Sequence, residues 1–308
     1  MRDILIPQMV EIIDNECSKY RLDEKLGEGG IGSVYKAHKL GYTPNICCVK
    51  LIIRGDLTRF NESIRAMETL PAHPNIQSYQ CSEAIIVPFQ IDNTQYRAPC
   101  YVVITNYLEG RLLTPEILGP IYSLEYIRNL TRVLLNTLLL LETLETHGIV
   151  HRDIKRQNLL LSQSKEVLLL DFDMAMTAGK RTSHTVGSLP YLPPEAFLRE
   201  HTEDTRFDIY QLGMMGAGFL FGFQEFLKLA EEWYWDKVLN VPESHDKKVI
   251  LTLDSLDKES FEKKEDGLAG AVYNLIVIIK KMVIGKLDKR IKLPELKGQL
   301  TEFLNTIN

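Results

Sequence analysis

The chain has 308 residues, 45% of them hydrophobic, and a formal net charge of −5 at pH 7. This length is sufficient for one large hydrophobic core or two smaller lobes. The mild acidity argues against a nucleic-acid-binding protein, whose binding surface is usually strongly basic. The five cysteines form no CxxC pair, so we expect neither a zinc site nor a disulfide framework.

The first 19 residues alternate charged with apolar side chains and contain no continuous apolar segment, so a secretory signal is not expected. We predict that residues 1–19 form an N-terminal extension with a short amphipathic helix. The longest apolar runs, 133–144 and 214–223, fall short of the roughly 20 residues that span a bilayer. Because unpaired cysteines suit a reducing compartment, the sequence predicts a cytoplasmic protein without a membrane span.

The segment that follows the extension is predicted to be rich in β-strand. Apolar alternation around clustered glycines predicts strand, turn and strand over residues 20–40, and the apolar run 45–53 predicts another strand. Two more strands are expected at about 84–89 and 100–105, separated by the polar, turn-rich segment 91–99.

Helices are predicted once in this first part and dominate the second part. The helical spacing of Phe60, Ile64, Met67 and Leu70 predicts one main helix in the first hundred residues. The pattern changes near residues 105–111, which predicts a domain boundary there. The helices expected beyond it span 124–146, 207–229 and 270–284.

The strongest chemical signal is the block IVHRDIKRQNLLL, which contains Asp153, Lys155 and Asn158. Thirteen residues after Asn158, Asp171 ends the apolar run VLLLD. An acid that can accept a hydroxyl proton, a nearby lysine, and an amide and second acid that can hold Mg²⁺ suit phosphoryl transfer. The alternative interpretation is a loop of solvated surface charges.

The pattern HRDxKxxN at residues 151–158 resembles the catalytic loop of eukaryotic-type protein kinases. The resemblance implies an α+β, bilobal fold with a small β-rich N-lobe containing one main helix, a larger mainly α-helical C-lobe, and ATP between them. It implies that Asp153 is the catalytic base, that Lys155 contacts the γ-phosphate, and that Asn158 and Asp171 bind Mg²⁺. Lys155 also favours serine or threonine over tyrosine as the acceptor.

The same resemblance covers about residues 20–302 and implies the domain boundaries. The expected regions are the N-terminal extension 1–19, the kinase N-lobe 20–104, the hinge 105–110, the kinase C-lobe 111–302 and the C-terminal tail 303–308.

A glycine-rich segment lies between the first two predicted strands of the N-lobe. Taken alone, its GxGxxG string also fits a dinucleotide-binding site, but there the glycines open a helix, whereas here a strand follows. The resemblance therefore implies a loop over the phosphates of ATP, with Ile31 where the family often has an aromatic residue. The residues assigned to this loop and its flanks are Leu26, Gly27, Glu28, Gly29, Gly30, Gly32 and Val34.

Lys50 in the strand CCVK resembles the kinase lysine that pairs with the α- and β-phosphates. A lysine in a buried strand is rare unless it has a partner, and the resemblance implies a glutamate on the next helix. Glu62 is assigned this role, although the spacing to the HPNI turn points nearer to Ser63. The alternatives are Glu68 and a helix face whose acids are simply solvated.

The segment ITNYLEG resembles the hinge that receives adenine. The resemblance implies that Thr105 is the gatekeeper and that the backbone of Asn106 to Leu108 contacts the base. Val34, Cys48 and Leu160 are then expected to enclose the ring, although as isolated apolar residues they would be ordinary core.

Further matches concern the framework around the site. In VGSLPYLPPE, the resemblance implies that Ser188 begins a substrate-facing loop and that Glu195 forms a buried ion pair with Arg290, while Asp208 anchors the catalytic loop. Two features concern regulation. Asp173 replaces the glycine of the family's DFG triplet. A phosphate on one of the hydroxyl residues between 173 and 187 could pair with Arg152, and the alternative is that this segment is only a flexible polar loop.

The sequence therefore predicts a serine/threonine protein kinase that transfers the γ-phosphoryl group of ATP, with Mg²⁺, to a protein hydroxyl. One alternative is a catalytically weak pseudokinase scaffold, motivated by Asp173, Ile31 and the displaced glutamate. Another is a small-molecule kinase of related fold, although such enzymes generally lack the HRDxKxxN loop. The oligomeric state is left open.

Overall fold

A computed structural model of the chain describes residues 9–12, 18–28, 32–41, 46–52, 57–91, 94–182, 187–198, 200–223, 226, 253–255 and 267–308. The chain divides into two compact units, Met1–Glu109 and Gly110–Asn308. The domain boundaries given above stay predictions.

The first unit is built on one antiparallel sheet of six strands, in the order β1-β2-β3-β4-β6-β5. The strands are β1 (Met9–Ile12), β2 (Ser18–Glu28), β3 (Gly32–Lys39), β4 (Ile46–Ile52), β5 (Tyr79–Ile91) and β6 (Thr94–Asn106). Strand propensity is high because β-branched residues recur along β4 and β6.

The two faces of this sheet differ because successive side chains on a strand point to opposite sides. One face forms a hydrophobic core that includes Tyr35, Val49 and Ile104, all buried. The opposite face carries Lys50, since residues that face each other across neighbouring strands share a side of the sheet. The sequence alternation therefore separates a packing face from a candidate functional face.

The helix α1 (Leu57–Glu68) packs on the face that carries Lys50. The ring of Phe60 lies with its centroid 5.0 Å from that of Tyr101. Tyr101 is the Cα partner of Ile52, and Lys50 is the partner of Val103, so Tyr101 and Lys50 share a side of the sheet. The predicted main helix of the first part is confirmed.

Two predictions for the first unit were wrong in detail. Residues 9–12 form the strand β1, which pairs with Ser18–Arg21, and are not part of a helix. A short segment forms too few hydrogen bonds to offset the entropy cost of helix nucleation, whereas pairing with an existing strand, β2, provides hydrogen bonds without that cost. The segment 91–99 is also mostly strand, because β5 and β6 stay paired as far as Ile91 and Thr94.

The second unit contains four longer helices among its described residues. They are α2 (Leu124–Thr146), α3 (Arg206–Phe221), α4 (Leu268–Met282) and α5 (Leu293–Thr306). The predicted helix 124–146 is confirmed, and Ser123 caps it by accepting a hydrogen bond from the Tyr126 N–H. The predicted helix 207–229 ends at Phe221, with residues 224–225 and 227–229 outside the described part, and α5 was not predicted.

Short strands frame the loops of the second unit. One small sheet has the order β10-β9-β7, and two strand pairs join β8 to β11 and β12 to β13. The strands are β7 (Arg111–Leu112), β8 (Ile149–Val150), β9 (Leu159–Leu161), β10 (Val167–Leu169), β11 (Met176–Thr177), β12 (Arg181–Thr182) and β13 (His201–Thr202). None of the helices in the described ranges has the length and apolar character needed to cross a membrane.

The predicted ion pair between Glu195 and Arg290 is confirmed. The two guanidinium Nη atoms donate to the two carboxylate oxygens at 2.6 and 2.9 Å, and Arg290 is buried. Arg290 also donates to the backbone carbonyls of Ile284 and Arg206. Because each charged group has hydrogen-bond partners, the pair can be buried without leaving a charge uncompensated.

Candidate active site

The loop between β8 and β9 contains Asp153 and has little regular structure. Its backbone is held by a buried carboxylate, because Asp208 on α3 accepts hydrogen bonds from the N–H groups of His151 and Arg152, each at 2.8 Å. Burial raises the pKa of Asp208 to about 7, while these two hydrogen bonds act in the opposite direction. The predicted anchoring role of Asp208 is thus confirmed.

The carboxylate of Asp153 is buried and surrounded by donors. Its Oδ2 accepts from the Lys155 Nζ at 2.7 Å and from the Asn158 Nδ2 at 3.1 Å. Its Oδ1 accepts from the backbone N–H of Ser188 at 3.1 Å and from the Ser188 hydroxyl at 2.9 Å. The structure therefore brings Asp153, Lys155 and Asn158 together as predicted from the sequence, and fixes the direction of the carboxylate from both sides.

Asp171 follows β10 and lies beside this loop. The N–H of Leu170 donates to the carbonyl of Asn158 at 2.9 Å, and the carbonyl of Leu170 accepts from His151 Nε2 at 3.0 Å. Asp171 itself has a φ of +64°, in the left-handed region that non-glycine residues seldom adopt. Such strain persists only where the surroundings fix it, and here the two hydrogen bonds of Leu170 hold the residue that precedes Asp171.

The imidazole of His151 connects Asp153 to Phe172. Burial lowers the pKa of His151, which favours the neutral ring. A neutral ring with the proton on Nε2 donates to Leu170 and accepts from the Asp153 N–H on Nδ1 at 3.3 Å. The buried ring of Phe172 packs edge-on against it with a centroid distance of 4.6 Å. Asp171 is therefore held on a packed segment.

In the first unit, Val34, Cys48, Lys50 and Thr105 lie on one face of the sheet. Val34 is the Cα partner of Lys50, and Cys48 is the partner of Thr105. Lys50 is partly exposed, whereas Cys48 is buried, and burial raises the pKa of its thiol to about 11. Adjacent strands thus place a lysine next to apolar residues on a single surface.

The family model of the protein kinase domain matches residues 20–299 of this chain. The chain belongs to the protein kinase family. The resemblance seen in the HRDxKxxN block and the α+β fold class are thereby confirmed.

Several curated kinases are similar to this chain over about two thirds of its length. All three relatives below are named as serine/threonine-protein kinases, and the chain spans only a quarter to a third of their own lengths. The probable kinase PknB of Lactococcus lactis is 27% identical over 219 residues, covering 67% of this chain and 32% of the relative. The kinase max-2 of Caenorhabditis elegans is 28% identical over 230 residues, covering 73% and 33%. The kinase SMU1 of Mycosarcoma maydis is 29% identical over 204 residues, covering 64% and 25%.

The described residues include only part of the glycine-rich segment. Leu26, Gly27 and Glu28 are exposed at the end of β2, while Gly29, Gly30 and Ile31 lie outside the described residues. Gly32 opens β3, where a Cβ atom would overlap the carbonyl oxygen of Leu51 on β4. Close approach of two strand backbones is thus sufficient reason for glycine at position 32.

The remaining predicted nucleotide contacts lie on different elements. Asn106 ends β6, and its amide oxygen accepts from the N–H of Ser78 at 2.6 Å, while Leu108 follows β6 without regular structure. Glu62 is partly buried on α1, and its pairing with Lys50 stays a prediction. Leu160 belongs to the second unit, on β9 between Leu112 and Leu168.

Asp173, which replaces the glycine of the family's triplet, causes no backbone strain in this conformation. Among the described non-glycine residues, positive φ is found at Tyr122, Arg152, Lys165 and Asp171, and Asp173 does not belong to this set. An L-residue is therefore acceptable at position 173, since the special freedom of glycine is not needed there.

Two contacts in the second unit were not predicted from the sequence. Ser188 bonds directly to Asp153, although the sequence indicated only that it begins a loop. From the sequence, Arg152 was expected to be able to pair with a phosphate. In the structure its Nη1 lies 3.2 Å from the fully buried carboxylate of Glu203. The backbone of Glu203 also bonds to Gly179 and Lys180, so one residue joins Arg152 to the segment after Asp173.

Proposed function

We propose that this chain is a serine/threonine protein kinase, which transfers the γ-phosphoryl group of ATP to a hydroxyl group of a protein substrate. The observation that supports this most is the carboxylate of Asp153, buried in an irregular loop and oriented by Lys155, Asn158 and Ser188. An acid held in a fixed direction on a rigid helix-anchored loop suits a general base.

In this proposal Asp153 accepts the proton of the substrate hydroxyl as the phosphoryl group is transferred. Lys155 contributes positive charge beside it, because its Nζ lies 2.7 Å from Asp153 and 2.8 Å from the Ser188 hydroxyl. Removal of a general base lowers turnover by roughly 10² to 10⁴-fold. Catalysis of phosphoryl transfer otherwise depends mostly on positioning and charge stabilisation.

The donor set fits Mg²⁺. Asn158 and Asp171 offer an amide oxygen and a carboxylate, the hard oxygen ligands that Mg²⁺ prefers, and Mg²⁺ usually takes few protein ligands beside phosphate oxygens and water. The amide nitrogen of Asn158 donates to the backbone and side chain of Asp153, which directs its oxygen the other way. When bound with ATP, Mg²⁺ would supply neutralisation of phosphate charge.

The remaining nucleotide contacts are proposed on the resemblance to kinases. Lys50 would pair with the α- and β-phosphates, with Glu62 as its partner. Thr105, Asn106, Leu108, Val34, Cys48 and Leu160 would contact adenine, and the glycine-rich segment 26–32 would cover the phosphates. The shared sheet face of Val34, Cys48, Lys50 and Thr105 supports this assignment.

Serine/threonine specificity is supported by Lys155 and by the names of the curated relatives. We also propose a cytoplasmic location. Its support is that the four cysteines within the described residues, Cys47, Cys48, Cys81 and Cys100, are free thiols, as is usual in a reducing compartment.

The proposed function is tested by incorporation of labelled phosphate from [γ-³²P]ATP into a generic protein substrate with Mg²⁺, followed by phosphoamino-acid analysis. We expect phosphoserine or phosphothreonine, a roughly 10² to 10⁴-fold lower kcat for Asp153→Ala with unchanged nucleotide affinity, and loss of Mg²⁺-dependent transfer in Asp171→Asn. Asp288→Asn, at an exposed acid, is the matched control. Absence of label with the wild-type chain, or full activity in Asp153→Ala, would contradict the proposal.

A further inference from the structure

A glutamine lies in the middle of α3, where every residue from Phe207 to Leu220 is buried. Gln211 has no exposed surface. Burial of an amide is unfavourable unless its donor and acceptor are both satisfied. Gln211 meets this condition at the catalytic loop, because its Oε1 accepts from the Ile154 N–H at 2.8 Å and its Nε2 donates to the Arg152 carbonyl at 2.9 Å.

The two hydrogen bonds of Gln211 lie on either side of Asp153. The Arg152 carbonyl belongs to the peptide plane that precedes the Asp153 Cα, and the Ile154 N–H belongs to the plane that follows it. Peptide units are rigid, so the orientation of these two planes sets φ and ψ of Asp153. The direction in which its side chain leaves the backbone is thereby fixed.

The contribution of Gln211 differs from that of Asp208, which lies one helical turn earlier on α3. Asp208 accepts from the N–H groups of His151 and Arg152, both of which precede Asp153. Gln211 reaches the peptide groups on both sides. The two side chains share one face of a buried helix, so the loop is held by a rigid element.

The Arg152 carbonyl is also a point of close packing. Arg152 has a φ of +69°, a strained conformation that its surroundings must maintain. Gly187 has a φ of +115°, and a Cβ atom there would lie 2.6 Å from the Arg152 carbonyl oxygen and 3.5 Å from the Gln211 Nε2. The segment that carries Ser188 therefore packs against the same group that Gln211 holds.

We propose that Gln211 is a positioning residue for phosphoryl transfer. It does not contact the substrate; it fixes the backbone on both sides of Asp153, so that the carboxylate meets its donors and the substrate hydroxyl in the required direction. This inference rests on the proposed function of Asp153.

Two variants of Gln211 test the inference. Gln211→Glu keeps the shape and the acceptor for Ile154 but replaces the donor to Arg152 with an oxygen, and Gln211→Met removes both hydrogen bonds at similar volume. Since small misplacement of a catalytic group strongly lowers turnover, we expect kcat at pH 8 to fall about tenfold for Gln211→Glu and about 100-fold for Gln211→Met. The Kd for Mg·ATP should change less than about twofold, because the proposed nucleotide ligands are untouched.

Tyr126→Phe is the matched control. It removes a buried hydrogen bond from the Tyr126 hydroxyl to the Phe219 carbonyl, at 2.8 Å on the same helix α3. We expect a lower Tm but unchanged kcat per folded molecule. If the Gln211 variants behave like this control, Gln211 has only a structural role and the inference is overturned.

Hydrogen exchange provides a readout that does not depend on activity. The Ile154 amide should exchange at least about tenfold faster in Gln211→Met than in the wild type, and at the wild-type rate in Tyr126→Phe. Unchanged exchange in Gln211→Met would overturn the inference. A wild-type chain without phosphoryl transfer would overturn the proposed function and this inference together, whereas an active wild type with full kcat in Gln211→Met would overturn the inference alone.

Discussion

The two units hold their candidate functional residues by different means. In the first unit, Lys50 and Val34 occupy adjacent strands, and the backbone hydrogen bonds of the sheet set their positions. In the second unit, Asp153 lies on irregular backbone that buried side chains hold in place, among them Asp208 and Gln211. A sheet distributes positioning over many equivalent bonds, whereas the loop concentrates it in a few. Single substitutions away from the reacting groups should therefore lower stability and kcat more in the second unit than in the first.

Asp208→Ala should have the largest effect. It leaves the buried N–H groups of His151 and Arg152 without their acceptor. Each such group costs about 1–3 kcal/mol, so we expect a loss of about 4 kcal/mol in the free energy of unfolding, measured by urea denaturation. Glu166→Ala, which breaks an exposed hydrogen bond from the Ser164 hydroxyl, should cost less than about 1 kcal/mol. An equal loss in the free energy of unfolding in both variants would show that Asp208 does not anchor the loop.

Glu203→Gln should have the next largest effect. It removes the buried carboxylate beside the Arg152 guanidinium while preserving shape. Removing one partner of a buried ion pair costs about 3 kcal/mol, and backbone amides of 178–180 should exchange faster. In Glu142→Gln, which alters a half-exposed pair with Lys297, we expect less than about 0.5 kcal/mol. A similarly small change in Glu203→Gln would show that Arg152 does not depend on this carboxylate.

Val49→Ala tests the sheet through packing alone. Val49 is completely buried in the core of the first unit. Removing two methyl groups should lower the free energy of unfolding by about 2 kcal/mol, and kcat per folded molecule should stay at the wild-type value. If kcat falls as steeply as in Gln211→Met, the sheet is as sensitive to local change as the loop, and the contrast fails.

Lys50→Met should have the smallest effect on stability. Because the strand ladder fixes position 50, the change in the free energy of unfolding should be below about 1 kcal/mol. Phosphoryl transfer should nevertheless fall about 100-fold, as is typical when one charge-stabilising group is removed. Lys19→Met, at an exposed lysine of β2, should leave both quantities unchanged. Full activity in Lys50→Met would remove Lys50 from the proposed nucleotide contacts.

The placement of the candidate residues in the first unit was predictable because the sequence pattern that sets it is local. Period-two alternation places Val34 and Lys50 on the face opposite the core residues Tyr35 and Val49. The ion pair of Glu195 with Arg290 and the anchor Asp208 followed from the kinase resemblance, which supplies long-range pairing that spacing alone does not.

The candidate site of the second unit was less predictable because it depends on contacts between segments that are far apart in the sequence. Gln211 is a single polar residue in an apolar helix, and nothing local shows that its amide meets both sides of Asp153. The two bonds from Ser188 to Asp153 likewise depend on how distant segments pack. β1 forms by pairing with β2, which the charge pattern of residues 1–19 does not reveal; that pattern suggested a helix.

The pairing of β1 with β2 has a practical consequence for the choice of expression boundaries. The family match begins at residue 20, which is beyond β1. A shortened chain starting there would lack Met9–Ile12, Ser18 and Lys19, and Tyr20 and Arg21 would lose their partners on β1. Recombinant fragments cut at the family boundary should therefore expose a newly unpaired stretch of the sheet edge at Tyr20 and Arg21, which the 308-residue chain covers with β1.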